Sequence, residues 1–354
     1  MGPFEEYRVA RHMSAFERLL TGWDGQQVAV RYDAEFATWM FIGVHSTCAG
    51  RSGGGTRMAV YPAPEDGLAD ALKLSAAMTR KMAVCNVSMG GGKAVLAVPE
   101  LPAGDARVEL LHRYGDFIGS LGGLYATAPD VNTSERDMDT IGERTEHVFC
   151  KSVSNGGSGS TAPATAVGVF HGIRASVRFA LERDLDGVRV LVQGLGAVGS
   201  RLSQQLAAAG AEVVVSDIEP ERVARSGFDP VDPVDVVATE CDVYAPCALG
   251  GTITAETVEQ LRCRVVAGAA NNQLADPALA DRLHERGILY APDYVINSGG
   301  VLHGTGLELL GWGPAQLDEA LHGLGDTLLE LFAEHERSPV HAAEALVARR
   351  RAPR

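Results

Sequence analysis

The sequence predicts an α/β protein of two domains, the second built on a doubly wound parallel sheet. Three observations carry this. The chain has 354 residues, 46% apolar and 21% charged, enough for about two domains with sizeable cores. A Gly/Ser cluster, SVSNGGSGST at 152–161, breaks the composition near the middle and reads as a flexible connection. Beyond it, short apolar strands alternate with helical stretches, the pattern of a parallel sheet covered on both faces.

The elements follow in order. Strands are expected at Val28–Tyr32 and Trp39–Val44. A helix is expected over Leu68–Met82, where apolar or small residues recur with a 3.6-residue period. A strand over Ala94–Val98 follows a glycine turn. After the Gly/Ser cluster come a helix at Thr165–Leu181, the strand Arg189–Gln193, a helix ending at Ala209 with Gly210 as its stop, and the strand Glu212–Ser216. Later strands are expected at Asp242–Ala245, Arg264–Ala267 and Ile288–Tyr290. Helical patterns occupy 316–333 and 338–350.

Net charge is −14, which argues against nucleic acid or an anionic membrane as a partner, since both select a basic face. No apolar run approaches the roughly 20 residues of a membrane-spanning helix. The first residues lack the apolar core of a signal peptide, so a cytoplasmic location is expected; residues 1–13 are set aside as a possible expression scar. The six cysteines show no metal-ligand spacing, so no metal is expected, and they read as reduced thiols. Cys247, after a predicted strand, is the one to watch.

Gly194, Gly196 and Gly199 spell G-x-G-x-x-G, with Ala197 and Val198 inside the turn. The string alone is weak, but here it joins a strand to a helix, and Asp217 closes the next strand. Gly194 would permit the tight turn, Gly196 the approach of a pyrophosphate, and Gly199 close packing of helix on strand. The helix N-terminus favours phosphate. Asp217 would accept hydrogen bonds from ribose hydroxyls and repel a 2′-phosphate, so NAD is expected over NADP. Arg222, the nearest downstream arginine, is the risk to that selectivity.

Lys93 closes Gly90-Gly91-Gly92-Lys93 before a strand. Val87 and Ala94 rule out a P-loop. Lys81 ends the helix of 68–82, and Asp130 lies in APDVNT (128–133). Singly, these read as surface charges or a turn carboxylate. Together they suit proton shuttling, because a lysine in a dry cleft has its pKa lowered.

These motifs resemble the glutamate/leucine/phenylalanine/valine dehydrogenase family. The matching segments are GGGTRM (53–58), KMAVCNVSMGGGKAV (81–95), TAPDVNT (127–133), ATAVGV (164–169), VQGLGAVG (192–199), VYAPCALGG (243–251), VAGAANNQ (266–273) and LYAPDYVINSGG (289–300). PDVNT, APCALGG, GAANN and ELLGW (308–312) incline the resemblance toward phenylalanine-acting members. It implies an N-terminal substrate-binding and oligomerisation domain at 1–150, rejoined by C-terminal helices at 325–354. An NAD-binding Rossmann domain would span 151–324, with a cleft between the two. The implied reaction is oxidative deamination of an L-amino acid to its 2-oxo acid and ammonium, and the reverse, by a homo-oligomer. Lys81 would bind the substrate carboxylate with backbone N–H groups of Gly54 and Gly55, and Asn297 would help. Lys93 would be the general base and Asp130 would move protons at the substrate nitrogen. Asn272 would contact the amino group or nicotinamide, and Thr165 the carboxamide.

Gly53 stands where leucine-type relatives carry leucine, which leads to an expected bulky, aromatic substrate, with Ala126 adding room. A branched-chain substrate is the alternative, with neighbours such as Val301 or Leu302 refilling the space. A catalytically dead NAD-binding regulator is a remote one, disfavoured by retention of Lys81, Lys93 and Asp130. A hydroxy-acid dehydrogenase would not need that set.

Overall fold

The computed structural model describes residues 14–48, 50–334 and 336–351; the set-aside residues 1–13 lie outside them. The chain divides into two compact units, one of residues 1–79 and 89–148, the other of 80–88 and 149–354.

The first unit holds a five-stranded sheet of β1 (Gln27–Asp33), β2 (Thr38–Val44), β3 (Ser52–Ala59), β4 (Gly90–Ala97) and β5 (Tyr125–Pro129), in the order β1-β2-β4-β3-β5. β1 and β2 pair antiparallel, as do β2 and β4, while β3 runs parallel to both β4 and β5. After the short helix α1 (Ala15–Thr21), helix α2 (Pro64–Val84) supplies Leu68, Ala71 and Leu72 to a cluster on one sheet face with Phe41, Val95 and Ala97. Helices α3 (Gly104–Gly119) and α4 (Glu135–Gly142) cover the other face. There Leu110, Leu111, Tyr114, Met138 and Ile141 bury against Met40, Ile42 and Leu96. Successive residues of β4 thus serve opposite clusters, as the period of two requires.

The glycines before Lys93 form strand, not the expected turn. Gly92 pairs with Val44 and Gly91 with Gly53. Glycine is required because a Cβ at Gly91 would collide with the Thr79 backbone nitrogen of α2. Gly91 lets helix and sheet approach more closely than any side chain allows, while a Cβ at Gly90 would strike the Ser46 carbonyl.

The second unit holds a six-stranded, wholly parallel sheet: β6 (Arg189–Gln193), β7 (Glu212–Ser216), β8 (Asp229–Pro230), β9 (Val243–Pro246), β10 (Val265–Val266) and β11 (Leu289–Tyr290). Its order, β11-β10-β9-β6-β7-β8, is the doubly wound arrangement with a reversal between β6 and β9. Helices α5 (Ala162–Leu181), α6 (Gly199–Ala208) and α7 (Pro220–Ser226) belong here. Val190 and Val192 point into one core and Leu191 into the other, so the middle of β6 is continuously apolar.

The C-terminal helices Pro314–Ala333 and Pro339–Arg351 pack in this second unit, not on the first as expected. Leu328, Leu331, Phe332, Ala343 and Leu346 join the cluster of Val169, Ile173 and Val192. Arg350 donates to the carbonyls of Ala83 (3.1 Å) and Val84 (2.5 Å), capping the end of α2. The Gly/Ser segment is also held rather than loose. The N–H groups of Cys150 and Ser158 and the Ser158 hydroxyl all donate to Glu308 Oε1, at 2.7, 2.8 and 2.5 Å.

Candidate active site

Within the first unit, β4 carries Lys93 at 7% exposure. A buried ammonium needs a partner, and Asp130, just beyond β5, provides one: Nζ lies 2.5 Å from Oδ2. Arg57 Nε of β3 lies 3.5 Å from the same oxygen, and Arg57 is shared with Asp70 at 2.8 Å. Burial pushes the Asp130 carboxyl upward, but the Lys93 ammonium and then Arg57 outweigh it and hold the group below its ordinary 3.8.

The segment after β5 is fixed locally. The Asp130 N–H donates to Thr133 Oγ1 (2.8 Å), the Thr133 N–H donates back to the Asp130 carbonyl (3.0 Å), and Thr133 Oγ1 donates to the Thr56 carbonyl (2.7 Å). Asn132 adopts φ +58° and donates to the Met58 carbonyl. The turn reading of this stretch is correct, and the turn aims the carboxylate at Lys93. A Cβ at Gly55 would come within 2.9 Å of Asp130 Cβ, so the bare glycine admits the aspartate. Beneath lies a buried web: Thr56 Oγ1 is 2.6 Å from Tyr114 Oη and 2.5 Å from Thr127 Oγ1, and the Tyr125 hydroxyl donates to the Gly54 carbonyl (2.7 Å). Burial pushes the Tyr114 phenol up to about 12, so it stays neutral.

Gly53, Gly54 and Gly55 belong to β3, between β4 and β5, rather than to an open glycine loop. Gly54 and Gly55 pair with Thr127 and Ala128 and drop out of the β4 register. A Cβ at Gly53 would lie 2.7 Å from Met89 Cε and 3.1 Å from its sulfur. Part of the room expected from glycine at this position is therefore taken by buried Met89.

In the second unit, Lys81 Nζ donates to Asn271 Oδ1 (2.9 Å), and Asn297 Nδ2 donates to the same atom (2.9 Å). Asn297 is 6% exposed, and its own Oδ1 is buried with no hydrogen-bond partner among the described residues. The structure thus joins Lys81 and Asn297 through Asn271, a residue the sequence reading passed over for its neighbour. Asn272 is exposed, with φ +50°. Its N–H donates to Asp293, and its carbonyl accepts from Gly251. The N-N dipeptide gave no means of choosing between the two.

The glycine turn sits where β6 meets α6, beside the loop after β9: the Cys247 N–H donates to the Gln193 carbonyl (2.7 Å). Gly194 has φ +98°. A Cβ at Gly199 would strike the Gly194 carbonyl, while a Cβ at Gly196 would meet none of the described residues within 4 Å apart from its chain neighbours. Gly194 and Gly199 are needed by the fold; Gly196 leaves open space at a helix N-terminus, which suits a pyrophosphate. Ala197 and Val198 complete the turn. Thr165, in the first turn of α5, donates to the Thr161 carbonyl (3.0 Å). Asp217 is 5% exposed in its side chain, with Oδ2 accepting from the Leu195 N–H (2.6 Å) and Oδ1 from the Glu219 N–H (2.9 Å). Arg222 Nη1 lies 3.7 Å from Oδ2. The carboxylate is thus largely inward-turned and partly neutralised, which weakens its expected exclusion of a 2′-phosphate. Burial pushes the Cys247 thiol up to about 12, so it is no nucleophile. Among the described residues no cluster of His, Cys, Asp and Glu could hold a metal, and no helix is long and apolar enough to cross a membrane.

The strand order and glycine turn define a dinucleotide-binding Rossmann unit attached to a second α/β unit. Residues 28–147 match the Glu/Leu/Phe/Val dehydrogenase dimerisation domain, and 156–230 with 218–311 match the Glutamate/Leucine/Phenylalanine/Valine dehydrogenase domain. Leucine dehydrogenase of Geobacillus stearothermophilus is 40% identical over 333 residues, 93% of this chain and 90% of that protein. Valine dehydrogenase of Streptomyces virginiae is 39% identical, covering 90% and 91%. The crystal structure of L-tryptophan dehydrogenase from Nostoc punctiforme superposes with a TM-score of 0.80 at 35% identity, covering 94% and 97%. The chain belongs to the glutamate/leucine/phenylalanine/valine dehydrogenase family, and is an NAD(P)-dependent amino-acid dehydrogenase. These relatives are named for leucine, valine and tryptophan, and give no support to the lean toward phenylalanine.

Proposed function

We propose that the chain interconverts a branched-chain aliphatic L-amino acid, leucine or valine, with its 2-oxo acid and ammonium, using NAD. The observation that carries the substrate class is Met89, which occupies the space a side chain at position 53 would fill. A pocket narrowed there suits an aliphatic side chain of moderate size. Similarity to leucine and valine dehydrogenases over nine-tenths of the chain supports the same reading.

The roles follow from chemistry. The nicotinamide, when bound, takes hydride from the substrate α-carbon. Lys81 anchors the carboxylate, with Asn271 and Asn297 orienting it; the unpartnered Asn297 Oδ1 suits the substrate's N–H donors. The mid-sheet position of Gly54 and Gly55 gives them a packing role in this reading. Lys93, once its ammonium proton has passed to Asp130, takes a proton from the water that attacks the imino carbon. Asp130, 2.5 Å away, passes protons to and from the substrate nitrogen so that ammonium can leave. Thr165 contacts the nicotinamide carboxamide. The family's dimerisation domain, together with exposed Val30 and Tyr32 on edge strand β1, supports a homo-oligomer, checked by light scattering.

A bulky aromatic substrate is the second reading. Gly53 and Ala126 are register partners, two small residues side by side, and the Met89 side chain beside them is unbranched and adaptable. The tryptophan dehydrogenase likeness favours it too. The test is NADH formation at 340 nm with L-leucine, L-valine, L-phenylalanine and L-tryptophan, with D-isomers and 2-hydroxy acids as controls. Preference for the aromatics would replace the first reading with the second. Activity on hydroxy acids alone would defeat both.

A further inference from the structure

The Lys93–Asp130 pair has a third charged neighbour, Arg57. In the register of β3 and β4, Arg57 lies opposite Val95, two residues beyond Lys93, so Arg57 and Lys93 project from the same sheet face. Helix α2 covers that face, with Leu68, Ala71 and Leu72 against Val95, and carries Asp70 between them. The Arg57 guanidinium spans two carboxylates. Nη1 donates to Asp70 Oδ2 at 2.8 Å, and Nε lies 3.5 Å from Asp130 Oδ2. The Tyr61 hydroxyl, from the link between β3 and α2, donates to the same Asp70 oxygen at 2.6 Å. Arg57 Nε is buried and makes no hydrogen bond among the described residues. Its hold on Asp130 is therefore one of charge.

That charge decides what the pair can do. Lys93 and Asp130 alone would be a closed ion pair, 2.5 Å apart, and an anion that close opposes loss of the ammonium proton. Base chemistry needs that proton gone. Burial works against the Arg57 charge, but Asp130 and then Asp70 outweigh it and hold the guanidinium above its ordinary range, so it stays a fixed cation. Two cations then share one carboxylate oxygen. The second cation favours loss of a proton from the pair, and it disfavours a neutral Asp130 acid that would keep the proton. A planar guanidinium can face both carboxylates at once, which the compact charge of a lysine does not.

We infer that Arg57 is a positioning residue for the proposed proton transfer, sharing the Asp130 carboxylate with Lys93 so that Asp130 hands the proton on instead of holding it. The inference rests on the reading of Lys93 as base and Asp130 as proton carrier. In the step, an N–H bond of the Lys93 ammonium breaks and an O–H bond forms at Asp130 Oδ2. That O–H bond then breaks as an N–H bond forms on the substrate nitrogen, which leaves as ammonium. Asp70 fixes the guanidinium and offsets part of its charge. The balance is set by Lys93 from β4, Arg57 from β3, Asp130 after β5, and Asp70 from α2 with Tyr61 beside it.

The test is the pH profile of kcat/KM, read at 340 nm on the full chain with NAD and the amino acid the parent uses best. Such profiles report ionisations of the free enzyme and free substrate, and the substrate's own is common to every variant. R57Q should move the rise of kcat/KM to higher pH by about half a unit or more, with the high-pH plateau within about threefold of the parent's. R57K, which restores the charge, should bring the midpoint back toward the parent's. D70N keeps the Arg57 charge and removes its offset, so it should move the rise to lower pH. It also keeps the test valid if thermal melts show that R57Q does not fold. A lowered plateau in R57Q with an unmoved midpoint would leave Arg57 a packing role and overturn the inference. Shifts of the same sign in R57Q and D70N would overturn it as well. Near-parent turnover in K93A would instead overturn the base assignment beneath it.

Discussion

Replacing Lys93 by alanine tests the proton chemistry. Lys93 is 7% exposed and 2.5 Å from Asp130, so the change removes both the proposed base and the principal counter-charge of a buried carboxylate. Loss of a general base lowers turnover by about a hundredfold to ten-thousandfold, a barrier increase of about 3–5 kcal/mol. Stability suffers less. Breaking a fully buried pair costs about 3–5 kcal/mol, but Asp130 retains Arg57 and some solvent, so about 1–2 kcal/mol is expected here. The acid limb gives an independent sign. Asp130 is held below 3.8 in the folded chain, so its contribution is present above the unfolded pKa and lost as pH falls through the folded one. Without Lys93 the folded pKa rises, and acid unfolding begins at higher pH. The assays are steady-state rates at 340 nm under saturating substrate, and urea unfolding at pH 7 and pH 4. A variant with kcat within threefold of the parent would refute Lys93 as the base, whatever its stability.

Met89→Ala should open the space beside Gly53 and raise the phenylalanine-to-leucine ratio of kcat/KM at least tenfold, since a methylene in a specificity pocket is worth roughly 1–3 kcal/mol. An unchanged ratio would remove Met89 from the substrate account. Asn271→Ala should raise KM for the amino acid about tenfold, because hydrogen bonds to charged groups contribute about 1.5–3 kcal/mol. Asn272→Ala should have the smaller effect on KM, and the reverse ranking would return the role to Asn272. Gly91→Ala should destabilise the fold by about 3 kcal/mol or more, because its Cβ meets the α2 backbone rather than a movable side chain. A thermal melt within a few degrees of the parent's would contradict that packing.

The second unit was the more legible from sequence. β6 and β7 are centred on the runs VLV (190–192) and VVV (213–215), because both sheet faces are covered and the middle of each strand must be apolar. The glycine turn was equally plain, since Gly194 and Gly199 meet constraints only glycine satisfies. The first unit hid more. β3 and β5, as SGGGTRMA and YATAP, lack the β-branched runs that announce a strand, and their pairing partners come from distant sequence. The triple glycine reads as a turn in sequence because its reasons are tertiary: the approach of α2 at Gly91, of the Ser46 backbone at Gly90 and of the Tyr125 ring at Gly92. Lys93 and Asp130 were found as separate motifs and the fold joined them. Asn271, Met89 and Glu308 were missed, for each acts through a partner far away in sequence: Lys81, Gly53 and Ser158.

The most direct measurement of the central claim is a competition. The chain is given leucine, valine, phenylalanine and tryptophan at equal concentration with NAD, and the 2-oxo acids formed early are quantified by mass spectrometry. Their ratios report the relative kcat/KM values free of differences in enzyme concentration. The account predicts that the 2-oxo acids of leucine and valine exceed those of phenylalanine and tryptophan at least tenfold. Dominance of either aromatic product would contradict it.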